Sequence, residues 1–202
     1  MIKKPIIKFV GYILLFLGFS MFATSLWPLY YGENDFSIFI KSGLITSITA
    51  LILLFLSREA TNSEINLRDG FYVVTIAWIF MGIFCSIPYY LSDFFSSFTD
   101  AFFESMSGIT TTGATVLKDI EALPHGLLFW RSFTQFIGGI GIIVFSIAIL
   151  PLLGIGGVQL FKAEVAGPTA DRMTPRIKQT AKLLWGIYVG LVILLTSILY
   201  IE

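Results

Sequence analysis

The sequence predicts an all-α polytopic membrane protein: two N-terminal transmembrane helices, a hairpin of outer helix, re-entrant helix with extended strand and inner helix, and then one further membrane helix. Three observations predict it. The 202 residues are 56% hydrophobic and 13% charged with a mean hydropathy of +0.86, where a soluble domain carries about 25% charged residues. Apolar runs long enough for a hydrocarbon core of about 30 Å recur along the whole chain. Lys and Arg alternate between dense and sparse in the loops that separate those runs. The 13 basic residues balance 13 acidic ones, which removes any global attraction to nucleic acid, and the single cysteine, Cys85, forms neither an intrachain disulfide nor a Cys-based zinc site. The lipid bilayer is the first expected partner.

The expected spans are Phe9 to Gly32, Ser42 to Ser57 (back to Phe36 if Lys41 snorkels), Gly70 to Ser92, Ser132 to Phe161 and Leu183 to Ile201. The first follows Lys3, Lys4 and Lys8 as a signal peptide would, with Ala23 and Ser25 near its end. Its length and its closing Trp27, Tyr30 and Tyr31 favour an anchored helix with an interfacial belt.

Basic residues mark the cytosolic side. The N-terminus holds Lys3, Lys4 and Lys8, the 58–69 loop Arg58 and Arg68, and the 162–182 segment Lys162, Arg172, Arg176, Lys178 and Lys182; the 93–125 region holds Lys118 alone. The N-terminus is therefore expected in the cytosol, provided that 93–125 makes no net crossing. That region is too apolar for a water-facing loop, with Phe94, Phe95, Phe98, Phe102 and Phe103, yet Asp100 and Glu104 leave only about a dozen helical residues, short of a span. A re-entrant helix over about 97–109 satisfies both facts, opened by Ser97 and Asp100 as a capping box and stopped at Gly108. Thr110-Thr111-Thr112-Gly113-Ala114-Thr115 follows with no helical period. Non-helical backbone at membrane depth requires protein or a wet cavity to satisfy it.

A short helix, an extended Thr/Gly strand and an inner helix are the parts from which cation filters are built, with strand carbonyls replacing an ion's hydration shell. Gly113 supplies the backbone freedom, the threonines add oxygens without bulk, and the helix C-terminus aims partial negative charge at a cation. Taken alone, three threonines before a glycine are more often helix-packing or turn residues than a filter. Glu104 and Arg131 flank the strand and read either as a clamp that holds it or as two separately solvated interfacial charges.

Phe102-Phe103-Glu104-Ser105-Met106-Ser107-Gly108-Ile109-Thr110-Thr111-Thr112-Gly113-Ala114-Thr115, Leu123-Pro124, Trp130-Arg131, Gln135-Phe136-Ile137-Gly138-Gly139-Ile140-Gly141-Ile142, Ala148-Ile149-Leu150-Pro151, Gly167-Pro168 and Thr174-Pro175-Arg176-Ile177 together resemble the Trk-type potassium uptake family, in its TrkH-like branch. The match runs in order from about Phe71 to Tyr188; the first two helices match in layout more than in residues. Members carry four covalently joined, potassium-channel-like pore hairpins about one pseudo-fourfold axis. TrkH-like members add two N-terminal helices, form dimers and bind a cytosolic nucleotide-binding regulatory subunit.

The resemblance implies potassium transport through the bacterial inner membrane, with potassium as the ion and no organic cofactor. It implies that the carbonyls of Thr111, Thr112, Gly113 and Ala114 form one quarter of the filter, with Thr110, Thr115, Glu104 and Arg131 as its expected supports. It divides the chain into a two-helix unit (1–68), a first pore hairpin (69–160, filter 110–115), a basic cytosolic linker (161–182) and the outer helix of an incomplete second repeat (183–202). No second Thr-Thr-Gly segment occurs in the chain, so it reads as an N-terminal fragment, and gating residues of later repeats are not assigned. Two other readings remain beside this one: a homotetrameric cation channel subunit, and a truncated, non-transporting interaction partner.

The other residues of note take plainer roles. Gly138, Gly139 and Gly141 suit close helix packing ahead of a hinge, and Pro151 with Gly154, Gly156 and Gly157 suits a helix end. His125 reads as an interfacial residue and Cys85 as a packing residue. The basic 162–182 segment suits anionic lipid and a cytosolic partner equally. With no phosphate-binding glycine motif, no Ser/His/Asp set and no metal cluster, the chain is not expected to be an enzyme.

Overall fold

A computed structural model describes residues 4–58, 67–149 and 170–201, and the described elements are helical. In order they are α1 (Lys4–Thr24), α2 (Leu26–Tyr31), α3 (Phe36–Leu56), α4 (Leu67–Cys85), α5 (Ile87–Tyr90), α6 (Phe98–Ile109), α7 (His125–Ile149) and α8 (Ala170–Ile201). Five stretches among the described residues are long and apolar enough to cross a membrane: Lys4–Tyr31, Phe36–Leu56, Asp69–Tyr90, His125–Ile143 and Gln179–Tyr200.

Proline breaks two of these spans. α1 stops at Thr24 and α4 at Cys85, and each resumes as a short helix that contains Pro28 or Pro88. A proline has no N–H for the residue four positions back and its ring crowds that carbonyl, so the helix is interrupted there. The break before Pro88 frees the carbonyl of Cys85, and the fully buried indole of Trp130 donates to it at 3.1 Å.

The described residues fall into two compact units, one up to Gly138 and one from Gly139 onward. In the first, α1 packs along α3 and against α4, while α6 lies on α4 and α5. Small residues set the α1–α3 distance: a Cβ on Gly18 would strike the Ser47 side chain and approach the Gly43 carbonyl to 3.3 Å. Leu14, Leu17, Met21, Phe39 and Trp130 are among the fully buried side chains at the centre of this unit. α7 is tied to the N-terminal helices by ring stacking of Trp27 on Phe129 (centroids 4.1 Å apart) and Tyr31 on His125 (3.8 Å). Glu33, in the turn between α2 and α3, accepts from the His125 amide at 3.2 Å and pairs with its ring at 2.6 Å. A carboxylate thus caps the first turn of α7, where free amides and the helix dipole favour negative charge.

The second unit carries α8, whose apolar residues from Leu183 to Tyr200 are largely exposed within the unit. Its helix begins at Ala170, upstream of the expected Leu183, and so takes up residues 170–182 that were expected as linker. Pro175 is the sixth residue of α8, past the first turn whose amides lack a helical partner, so it removes one helical hydrogen bond and the helix continues through it. Likewise α7 begins at His125, not Ser132, and takes Arg131 into its second turn. The expected helix end at Pro151 and the glycines after it lie outside the described residues, as does 150–169 as a whole.

Candidate functional site

α6 is 12 residues long, about 18 Å at 1.5 Å per residue, and too short to span the bilayer. Its start is capped as its sequence suggests: the Ser97 hydroxyl accepts from the Asp100 amide at 3.1 Å and donates to the Asp100 carboxylate at 2.9 Å. The Ser105 hydroxyl donates to the Gly82 carbonyl at 2.8 Å and fixes the buried face of α6 on α4.

The helix ends at Ile109, as expected, but the residue that ends it differs. Gly108 does not stop it; helical geometry continues through Ile109, with Thr110 as the cap. The Thr111 amide bonds to the Gly108 carbonyl (2.9 Å) and the Thr112 amide reaches back to the Ser107 carbonyl (3.0 Å), with Thr111 at φ 57°. These are the two crossing bonds of a Schellman closure, whose left-handed position ordinarily belongs to glycine. Here a β-branched threonine holds it, a conformation that stores strain. Gly108 is needed for another reason: a Cβ there would sit 2.6 Å from the Thr134 hydroxyl of α7. Gly138 of α7 has the same role, since its Cβ would collide with the Ile109 carbonyl at the end of α6.

Beyond the turn, Thr112 to Ala114 run without helical structure and Thr110 to Ala114 are exposed. Gly113 lies at φ 77° with nothing within 4 Å of where a Cβ would stand, so backbone conformation, not space, requires glycine there. The Thr110 hydroxyl donates to the Met106 carbonyl at 2.7 Å and shares a 2.8 Å hydrogen bond with the Thr112 hydroxyl. Among the described residues, the carbonyls of Thr111, Thr112 and Gly113 accept no intrachain hydrogen bond. The Ala114 carbonyl differs, because the Ser107 hydroxyl donates to it at 2.6 Å.

Glu104 and Arg131 are ion-paired, with side chains 2% and 13% exposed. The other Glu104 oxygen accepts from the Thr115 hydroxyl at 2.9 Å and the Val116 amide at 3.2 Å. The Thr115 hydroxyl in turn accepts from the Leu117 amide at 3.1 Å. Two separately solvated charges are therefore not what these residues form. The structure brings Thr110 to Thr115, Glu104 and Arg131 into one neighbourhood around the end of α6. Ser107, Thr134 and Gly138 join them there without having been singled out for it. The signal for Ser107 was its place as the third residue from the helix end, whose carbonyl closes a Schellman turn. Among the described residues no group of His, Cys, Asp and Glu is arranged to hold a metal ion.

Membrane-length helices and a short capped helix that ends in a strained Thr/Gly segment define a polytopic helical membrane protein. Residues 36–201 match the family model described as "TrkH: Cation transport protein", and the chain belongs to that family. It is 43% identical over 192 residues to the Trk system potassium uptake protein TrkH of Vibrio parahaemolyticus, covering 94% of this chain and 39% of that protein. Against the protein of the same name from Escherichia coli it is 40% identical, covering 94% and 40%. The crystal structure of the potassium transporter TrkH from Vibrio parahaemolyticus superimposes with a TM-score of 0.78 at 40% identity, over 94% of this chain and 37% of that one. The chain thus spans about two fifths of the length of the curated relatives it matches.

Proposed function

We propose that this chain supplies one quarter of a potassium-conducting pathway, as part of the pore-forming subunit of a Trk-type potassium uptake system. The observation that carries this reading is the strand after α6. Carbonyls of Thr111, Thr112 and Gly113 have no partner within the chain among the described residues, and α6 ends its dipole beside them. Ala114 joins the set through the second lone pair of a carbonyl whose first is taken by Ser107. A dehydrated monovalent cation is the ligand such a set suits. Thr110, Thr115, Glu104 and Arg131 hold the strand.

In this reading residues 1–68 are the N-terminal two-helix unit, 69–160 the first pore hairpin, 161–182 a cytosolic segment whose residues 170–182 form the start of α8, and 183–202 the membrane part of the next repeat's outer helix. The pathway is completed by further hairpins of the same kind. The protein sits in the bacterial inner membrane with its N-terminus in the cytosol, which the Lys3, Lys4 and Lys8 cluster supports. It works as a dimer with a cytosolic nucleotide-binding subunit, as the resemblance implies.

The test is potassium uptake by potassium-starved, uptake-deficient bacteria that express the native gene product. Uptake is expected, and Gly113→Asp is expected to abolish it while the protein still reaches the membrane. Absence of uptake, or uptake indifferent to Gly113→Asp, would overturn the proposal.

A further inference from the structure

Gly113 is held from both sides by one residue. The carbonyl of Ser107 accepts from the Thr112 amide at 3.0 Å, and the hydroxyl of the same residue donates to the Ala114 carbonyl at 2.6 Å. Ser107 is 7% exposed, so its own atoms are largely shielded from water, while Thr112 and Ala114 at the other ends of the two bonds are exposed.

These two anchors determine where the strand's oxygens point. In a trans peptide the N–H and C=O face opposite ways, and no cis bond occurs among the described residues. With the Thr112 amide turned toward Ser107, the Thr111 carbonyl of the same peptide plane is turned away from α6. At the other end the Ala114 carbonyl is turned toward α6. Only two peptide planes lie between the anchors, and they carry the carbonyls of Thr112 and Gly113. Glycine at φ 77° is the residue where a peptide plane flips most readily. Anchoring both flanks restricts that flip.

We propose that Ser107 is a positioning residue for ion selection: its hydroxyl, bonded to the Ala114 carbonyl, holds the Thr111–Gly113 carbonyls at the spacing that replaces the water shell of potassium in preference to the smaller sodium ion. The inference rests on the reading of residues 110–115 as a filter strand. It adds a side chain on α6 that touches no ion.

The test compares wild type, Ser107→Ala and Ser107→Cys in the native gene product, expressed in an uptake-deficient host. It measures the KM for potassium, the maximal rate, the inhibition of uptake by sodium, and the amount of protein in the membrane. A neutral hydrogen bond is worth about three- to tenfold in an equilibrium, so Ser107→Ala is expected to raise KM or relax potassium-over-sodium discrimination by about that factor. Ser107→Cys, a weaker donor of similar shape, is expected to lie between alanine and wild type, and it carries the test if the alanine protein does not accumulate. Variants that lower only protein amount or maximal rate, with KM and discrimination at wild-type values, would overturn the inference while leaving the filter reading intact. A wild type without potassium uptake would overturn both.

Discussion

The Arg131 guanidinium of α7 is paired with the Glu104 carboxylate of α6, and the second oxygen of that carboxylate holds the Thr115 hydroxyl and the Val116 amide. One buried acid therefore joins two helices to the exit of the strand. Breaking a buried pair from one side leaves a charge uncompensated, at about 3–5 kcal/mol. Glu104→Gln is expected to lower thermal stability by roughly that amount and to weaken potassium uptake. Glu104→Gln with Arg131→Met is expected to recover part of the stability and none of the uptake, because the strand contact is still altered. A double-mutant cycle in Tm, run beside uptake, checks both; full-strength uptake in Glu104→Gln would refute the clamp.

Thr111 at φ 57° stores strain that a glycine would not. The left-handed conformation costs a residue with a Cβ about 1–2 kcal/mol. Part of that returns on substitution and part is lost to the greater freedom of glycine in the unfolded chain. Thr111→Gly is expected to raise stability by less than about 1 kcal/mol and to reduce discrimination between potassium and sodium. Thermal melting paired with uptake competition measures the two together; a large loss of stability would show that the threonine side chain matters more than its backbone strain.

Gly138 admits the end of α6 against α7. A methyl group there meets the Ile109 carbonyl, and overpacking of this kind costs about 1–3 kcal/mol. Gly138→Ala is expected to destabilise the protein, whereas Gly32→Ala, at a turn with open space around it, is expected to cost only its backbone strain. Unchanged melting in Gly138→Ala would mean that the helices separate without penalty.

The turn between α2 and α3 carries two carboxylates that respond oppositely to pH. Burial pushes the Asp35 carboxyl up, the Glu33 charge adds to this, and its own backbone amide and His125 oppose it. Neither Asp35 oxygen is hydrogen-bonded to another residue among those described, although the side chain is buried. Burial also acts to raise Glu33, but its bonds to His125 and the charge of that ring outweigh this and leave it below its ordinary value of 4.5. Glu33 therefore contributes stability that is present above pH 4.5 and lost as pH falls through its lowered value. Asp35, with its raised value, binds its proton more tightly when folded; its charged form weakens the fold at neutral pH, and that penalty disappears as pH drops below its ordinary 3.8. Asp35→Asn is expected to raise stability at pH 7 by about 1 kcal/mol, with the gain fading toward acid. Glu33→Gln is expected to lose stability at pH 7 and little at low pH. Melting curves from pH 3 to 7 test both signs.

Much of this was legible in the chain itself. The membrane class, the short helix at 98–109 with its Ser97 cap, and the Thr110 to Thr115 strand all follow from patterns within a few residues of each other, whereas the pairing of Glu104 with Arg131 was one of two readings the sequence left open. Charge and apolar runs decide which segments enter lipid, and local hydrogen-bonding groups decide where a helix starts. The charge-free stretches from Ser132 and Leu183 begin inside α7 and α8, because a helix continues past the charged residues that bound an apolar run. Gly108 makes room for Thr134 and does not end α6, and Arg131 lies inside α7 paired with Glu104.

By itself the sequence determined an all-helical membrane protein with one Thr/Gly strand between two helices, since hydropathy and turn chemistry are properties of neighbouring residues. Only the tertiary structure decided which atoms hold that strand. Glu33 reaches His125 across 92 positions, Trp130 covers the Cys85 carbonyl across 45, and Ser107 meets Ala114 at the far side of a left-handed turn. Such pairings depend on where the helices pack, and a hydrogen bond acts over about 3 Å of space however far apart its partners lie in the chain.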